Sequence, residues 1–281
     1  MRPLFPLAAA MLLAATATGS AQSRWETHKM PCRKLMTVSE REYSVCLPAG
    51  YDTCHASLYP TVYLLHGGGC SRDVWQQEGR LTDVVDSLTA LGLLPPAVVV
   101  CAEGQDDRMM WFNAPYWRYE DYFFDELIPY IETQYRVSAR REDRFVAGFS
   151  MGGGAAIVYG LHRPDVFRAV YDMSGYLRRH EMEWLRNDPS AEWRQEVIEQ
   201  HSPLRIVAEA TDDEARRWQA VDWAIECGDH DFCLSDNVAL GVALHDRGVG
   251  ADLYVSPGYH AWDFWRPALA KALVRFGALM R

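Results

Sequence analysis

The feature that most constrains this chain is the pentapeptide Gly148-Phe149-Ser150-Met151-Gly152, because it stands where one secondary-structure pattern gives way to another. Arg144 to Phe149 reads as a short buried strand, and Ala155 to Leu161 continues as a helix. A serine at such a junction occupies a tight strand-to-helix turn. Glycine is required on both sides, since a turn that sharp leaves no room for side chains beside the backbone. The string alone is weak; its placement carries the information.

The alternation extends in both directions. Thr61 to Leu65, Ala97 to Cys101, Ala169 to Met173, Val221 to Cys227 and Asp252 to Val255 read as strands. Leu81 to Leu91, Tyr119 to Tyr135, the region around Val238 to His245 and a final stretch to Met280 read as helices. Strands alternating with helices predict an α/β fold: a mostly parallel central sheet with helices on both faces. Ahead of it, Cys32 to Val38 and Arg41 to Leu47, around a turn near Ser39-Glu40, predict an antiparallel N-terminal hairpin. That turn sets Cys32 opposite Cys46 as a candidate disulfide, against the plainer reading of two buried small side chains. Residues 177 to 218 break the pattern, being highly charged, helical in character and rich in tryptophan (Trp184, Trp193, Trp218). They are a candidate lid, or else an ordinary surface excursion of helices.

At the N-terminus, Arg2 precedes an apolar run from Leu4 to Ala15 and small residues ending Gly19-Ser20-Ala21, the order of a signal peptide cleaved after residue 21. The run is well short of the roughly 20 residues of a spanning helix, so a secreted or periplasmic product without stable membrane insertion is expected. Residues 22–281 then form a single domain. All seven cysteines follow that point, where an oxidising compartment favours disulfides and an odd count leaves one thiol over. The net charge of −10 and the absence of a basic stripe argue against a nucleic-acid partner. Oligomeric state is not legible.

A serine hydroxyl is a poor nucleophile near neutral pH unless a base takes its proton and a third group holds that base in the right tautomer. Of the histidines well downstream of Ser150, His245 falls within a helical stretch and His230 within the loop that should supply the acid. His260 lies in the loop Pro257-Gly-Tyr-His260, directly after a strand, and is the expected base. The acid comes from Gly228-Asp229-His230-Asp231, with Asp231 favoured and Asp229 the alternative. An oxyanion formed on an ester carbonyl needs backbone N–H groups, and two are candidates: that of Met151, and that of Gly68 within His66-Gly67-Gly68-Gly69 at the end of a strand. Trp111, Asn113 and Trp117, in a segment after the strand ending at Cys101, are candidate substrate-binding residues that plain core packing would explain equally well. No cofactor and no metal site is expected: His-Glu-x-x-His is absent, and Cys227 and Cys233 lack histidines at zinc spacing.

Taken together, Tyr43-Ser-Val-Cys-Leu-Pro-Ala-Gly-Tyr51, His66-Gly-Gly-Gly with Trp75 after it, Arg118-Tyr-Glu-Asp-Tyr122 leading to Glu126-Leu-Ile-Pro129, Gly148-Phe-Ser-Met-Gly-Gly153, Cys227-Gly-Asp-His-Asp231 and Pro257-Gly-Tyr-His-Ala-Trp-Asp-Phe-Trp265 resemble the esterase D-like family of α/β-hydrolases. That family includes S-formylglutathione hydrolases, family 1 carbohydrate esterases acting on feruloyl or acetyl groups, and mycolyltransferases. The resemblance runs from about residue 43 to 275. It implies an α/β-hydrolase fold, a serine carboxylesterase activity on a small-molecule or glycan ester, a triad of Ser150, Asp231 and His260, and an oxyanion hole at Gly68 and Met151. It departs at 177 to 218, and Asp222 interrupts a strand that is usually all apolar in the family. Acyl transfer through the same triad and a non-catalytic binding role on the same scaffold are the competing readings.

Overall fold

The computed structural model describes residues 22–53, 58–104, 111–177 and 191–280. The expected signal peptide, Cys54 and residues 178–190 of the charged segment, Trp184 among them, lie outside these. Among the described residues, no helix is long and apolar enough to cross a membrane.

In chain order the strands are β1 (Arg24–Pro31), β2 (Glu40–Leu47), β3 (Thr61–Leu65), β4 (Val98–Ala102), a small ribbon of β5 (Asn113–Ala114) and β6 (Trp117–Arg118), then β7 (Arg144–Phe149), β8 (Ala169–Met173), β9 (Asp222–Gly228) and β10 (Ala251–Ser256). The helices are α1 (Val74–Gln77), α2 (Leu81–Ala90), α3 (Tyr119–Tyr122), α4 (Ile128–Gln134), α5 (Met151–His162), α6 (Ala191–Gln200), α7 (Pro203–Glu209), α8 (Asp212–Trp218), α9 (Leu234–Asp246) and α10 (Trp262–Leu279). Eight strands form one sheet in the order β1-β2-β4-β3-β7-β8-β9-β10. The first two pairings, β1 with β2 and β2 with β4, are antiparallel and the rest are parallel.

The central strands are apolar throughout because both of their faces are covered. Side chains alternate across the sheet. Tyr63, Leu65, Val98, Val100, Val146 and Val170 thus enter the core shared with α5 and the helices after it, while Val62, Leu64, Val99, Phe145, Ala147 and Tyr171 enter the core beneath α2 and α10. Pro129, the second residue of α4, has no N–H to give the preceding turn. The chain widens just before it into a π turn over Phe123–Leu127, so the helix expected from Tyr119 to Tyr135 is three joined pieces.

One expectation is corrected. The first strand of the hairpin is Arg24–Pro31, with Pro31 opposite Glu40, so Cys32 to Val38 belongs to the connection. In that register Cys46 faces Trp25, and Cys32 instead bonds across the connection to Ser39 and Val38, which rules out the Cys32–Cys46 bridge. Cys32 and Cys46 are both buried and unbridged. The described part of the charged segment packs against the body of the fold. α6 to α8 bury Val197, Ile198, Val207, Ala215 and Trp218 in the α5-side core, and the Trp218 indole N–H donates to Leu161 O at 2.8 Å. Asp222, which seemed to interrupt a strand, begins β9 and accepts from Arg275 on α10.

Candidate active site

β7 ends and α5 begins at a single residue. Ser150 has φ 54° and ψ −122°, a conformation rarely adopted outside glycine. Its surroundings hold it there: Ser150 N–H donates to Met173 O at 3.0 Å, and Ser150 O accepts from the N–H groups of Gly154 and Tyr176. The flanking glycines are obligatory through close approach. A Cβ on Gly148 would lie 2.2 Å from Gly152 O, and one on Gly152 would lie 2.1 Å from Leu65 O.

β9 and β10 end side by side, and their loops are knitted together by Asp229 N–H to Ser256 O and His230 N–H to Gly258 O. That juxtaposition brings Asp231 and His260 to Ser150. His260 Nε2 lies 2.8 Å from Ser150 Oγ, and its Nδ1 lies 2.8 and 2.9 Å from the two oxygens of Asp231. The imidazole is fixed further by Trp265, edge-on with ring centroids 4.8 Å apart. Burial pushes the Asp231 carboxyl up, but the hydrogen bonds from His260 and from the Cys233 N–H outweigh it and hold the acid below its ordinary range. Asp231 is therefore a carboxylate that can hold one imidazole tautomer and its positive charge.

Of the two acids left open by the sequence, Asp229 does not reach His260. It accepts from His230 Nδ1 at 2.6 Å and from the Gly258 N–H at 3.0 Å, which shapes the loop two residues before His260.

Gly68 and Met151 stand beside the serine. A Cβ on Gly67 would lie 3.1 Å from Ser150 Cβ, and one on Gly68 would lie 2.6 Å from Met151 Sδ. As the first residue of α5, Met151 carries one of the N–H groups that the helix cannot satisfy internally. The other sequence candidates are placed differently. Trp111 and Trp117 are buried, and the Trp111 indole N–H donates to His66 O at 3.1 Å, so packing and support of the glycine loop are what the structure assigns them. Asn113 is half-buried and bonded to Asp121 through both its amide nitrogen and its oxygen.

Some site residues escaped the sequence reading. Phe232, in the acid loop, is 68% exposed with its ring 4.4 Å from that of His260, and Tyr259 is exposed on the histidine loop. Asn237 on α9 is buried and ties Gly175 O to Cys233 O through its amide, each at 2.8 Å. Asp172 is fully buried beneath the elbow, where a Cβ on Gly153 would lie 2.2 Å from its carboxyl, and burial pushes its acid well above the ordinary range. Only an out-of-place polar residue in an apolar pattern could have signalled Asp172 or Asn237. Among the described residues, the one set of three possible metal ligands is Asp231, Cys233 and His260. There the carboxylate already bonds the imidazole, and burial pushes the thiol far up, so the set suits proton handling rather than a metal.

The chain matches the profile of the Esterase family, described as "Putative esterase", over residues 36–276. It belongs to that family. A solved ferulic acid esterase superposes with a TM-score of 0.84 at 34% identity, covering 92% of this chain and 99% of that one. An endo-1,4-beta-xylanase/feruloyl esterase of Xylanibacter ruminicola is 33% identical over 132 residues, 44% of this chain. The match takes in only 18% of that relative's length. An acetyl esterase of Caldicellulosiruptor saccharolyticus is 23% identical over 222 residues, covering 75% of this chain and 81% of the relative. With its parallel sheet and antiparallel N-terminal strands, the esterase has the α/β-hydrolase fold.

Proposed function

We propose that this esterase is an exported serine carboxylesterase that cleaves an ester on a glycan or polysaccharide through an acyl-enzyme. The observation that carries the reading is His260, held between the Asp231 carboxylate and the Ser150 hydroxyl at hydrogen-bond distance on both sides. Ser150 Oγ attacks the ester carbonyl carbon while His260 Nε2 takes its proton, and Asp231 holds Nδ1–H and the developing positive charge. The carbonyl electrons move to oxygen, where the N–H groups of Gly68 and Met151 meet the charge. Collapse of this intermediate breaks the ester C–O bond, and His260 passes its proton to the departing alcohol. Water then loses a proton to His260 and attacks the acyl group on Ser150; the acid leaves and Ser150 regains its proton.

The substrate class is supported by the ferulic acid, feruloyl and acetyl esterases among the relatives and by the aromatic rim of Phe232 and Tyr259 beside the histidine. Export is supported by the apolar run from Leu4 to Ala15. The test is a panel of p-nitrophenyl acyl esters beside feruloylated and acetylated oligosaccharides, with products identified by mass. The reading expects free acid and unmodified sugar, and a mature chain beginning at residue 22. Transfer of the acyl group to added sugar in preference to water would make the protein an acyltransferase instead.

A further inference from the structure

The first residue of the glycine loop is fully buried and wired on both sides of its ring. The Gly104 N–H donates to His66 Nε2 at 3.0 Å, and His66 Nδ1 lies 2.9 Å from Gly67 O. A ring nitrogen that accepts carries no hydrogen, so Nε2 is bare and the hydrogen sits on Nδ1, where it donates to the Gly67 carbonyl. Glu103 Oε1 is also 3.3 Å from Nε2, a longer approach than that of the Gly104 N–H, while Arg72 engages the other carboxylate oxygen, Oε2, through its guanidinium at 2.6 Å and its backbone N–H at 3.2 Å.

We infer that His66 is a positioning residue for the oxyanion hole: its Nδ1–H turns the Gly67–Gly68 peptide so that the Gly68 N–H faces Ser150. The carbonyl of Gly67 and the N–H of Gly68 belong to one planar trans unit and point in opposite directions. Holding the carbonyl against the imidazole sends the N–H out on the far side, and Gly67 and Gly68 lie close against Ser150 and Met151. The neighbouring peptide is held as well, with His66 O accepting from Trp111 Nε1. Glycines cannot hold this orientation themselves, because without a Cβ the loop has many conformations of similar energy. The two bonds to the imidazole replace that missing restraint before substrate arrives.

The inference rests on the reading of Ser150 as nucleophile, and its test separates the two. In His66→Asn the side-chain amide nitrogen replaces Nδ1 and keeps the donor to Gly67 O; His66→Gln keeps a partner for Gly104 N–H and loses that donor. Expected for His66→Gln is a kcat loss of about 10²-fold with KM within about threefold, because the N–H acts on the oxyanion rather than on the bound ester. Inhibition by an aryl trifluoromethyl ketone, whose adduct with Ser150 carries the same oxyanion, should weaken by a similar factor, and His66→Asn should stay within about tenfold of the parent on both measures. Equal losses in the two variants, or a fall in kcat with ketone inhibition unchanged, would overturn the inference. A measurement on the unaltered protein needs no variant to fold: ¹⁵N shifts of labelled histidine should show His66 as the Nδ1–H tautomer, and the Nε2–H tautomer would overturn it. Ketone inhibition that survives Ser150→Ala would instead remove the nucleophile reading on which the inference stands.

Discussion

Two of the carboxylate–histidine assemblies among the described residues differ in how they are wired. At the strand ends, one histidine stands between a carboxylate and a hydroxyl, Asp231–His260–Ser150. Behind the ribbon of β5 and β6, one carboxylate stands between two histidines: Glu120 bonds His162 Nδ1 at 2.7 Å and lies 3.3 Å from His201 Nε2. His201 is occupied on its other nitrogen by Val197 O at 2.7 Å and stacks on Phe112. The first assembly leaves a nitrogen facing a group that can lose a proton, so it can move protons during a reaction. Among the described residues the second has no such group bonded to it; it ties the end of α6 to α3 and α5. Residue types alone do not make a catalytic relay, and the third partner decides.

The largest effect expected from breaking the contrast is at Ser150. Ser150→Ala should leave a folded protein whose esterase kcat is down by about 10³-fold or more, and a fluorophosphonate should label the parent there and not the variant. Retention of more than a tenth of the activity would remove the relay from catalysis.

Next come the two acids. Asp231→Asn presents an amide that favours the wrong imidazole tautomer and should cost about 10² to 10⁴ in kcat. Asp229→Asn, which touches the loop and not the imidazole, should cost less than about tenfold. Measuring both with one short-chain ester, after equal folding is established by circular dichroism, sharpens the assignment; the reverse order would move the acid to Asp229.

Glu120→Gln should act on stability and leave kcat within about threefold. Burial pushes Glu120 up, yet the hydrogen bonds from His162 and His201 bring it down to about 2 from the ordinary 4.5. A depressed carboxyl contributes stability that is present above its unfolded value and is lost as pH falls toward the folded one. The parent's Tm should therefore drop as pH falls from about 4.5 toward 2, by an amount on the order of 3 kcal/mol in stability, and Glu120→Gln should flatten that limb while lowering Tm by several degrees at pH 7. A loss of kcat of more than about tenfold at unchanged fold would show that the second assembly reaches the chemistry after all.

The smallest effect is expected at Asp172, where the sign reverses. Its carboxyl is raised, so its contribution is present at low pH and is lost as pH rises from the ordinary 3.8 through the raised value. Asp172→Asn should be near neutral in kcat and should flatten the alkaline limb of Tm against pH. A steeper limb in the variant would mean that the buried acid is ionised in the native state.

The elements that were legible in the chain are those in which local chemistry and burial coincide. The short runs Thr61–Leu65 and Arg144–Phe149 read as strands because they are covered on both faces. Ser150 was legible because it follows a strand directly between Gly148 and Gly152, and His260 because it stands in the short loop after a strand. The hairpin register was not: one side of β1 is exposed, so its pattern is weakly apolar, and the more apolar connection after it was mistaken for the strand. The tryptophans near residue 111 carried no mark of which way they face, since an aromatic ring suits a core and a sugar alike.

By itself the sequence determined the parallel α/β order, the serine at its turn, the histidine loop and the pair of acids from which the third member had to come. Those follow from periodicity and from the few residue types that a strained turn or a proton relay admits. Only the tertiary structure shows which of Asp231 and Asp229, two residues apart, meets His260, because that depends on which carboxylate the β9 loop turns toward the end of β10. It also decided that the His66 ring lies between Gly104 and Gly67, and that Glu120, His162 and His201, far apart in the chain, meet at all. A hydrogen bond is settled within a few tenths of an ångström, and no pattern of residue types along a chain carries distances that fine.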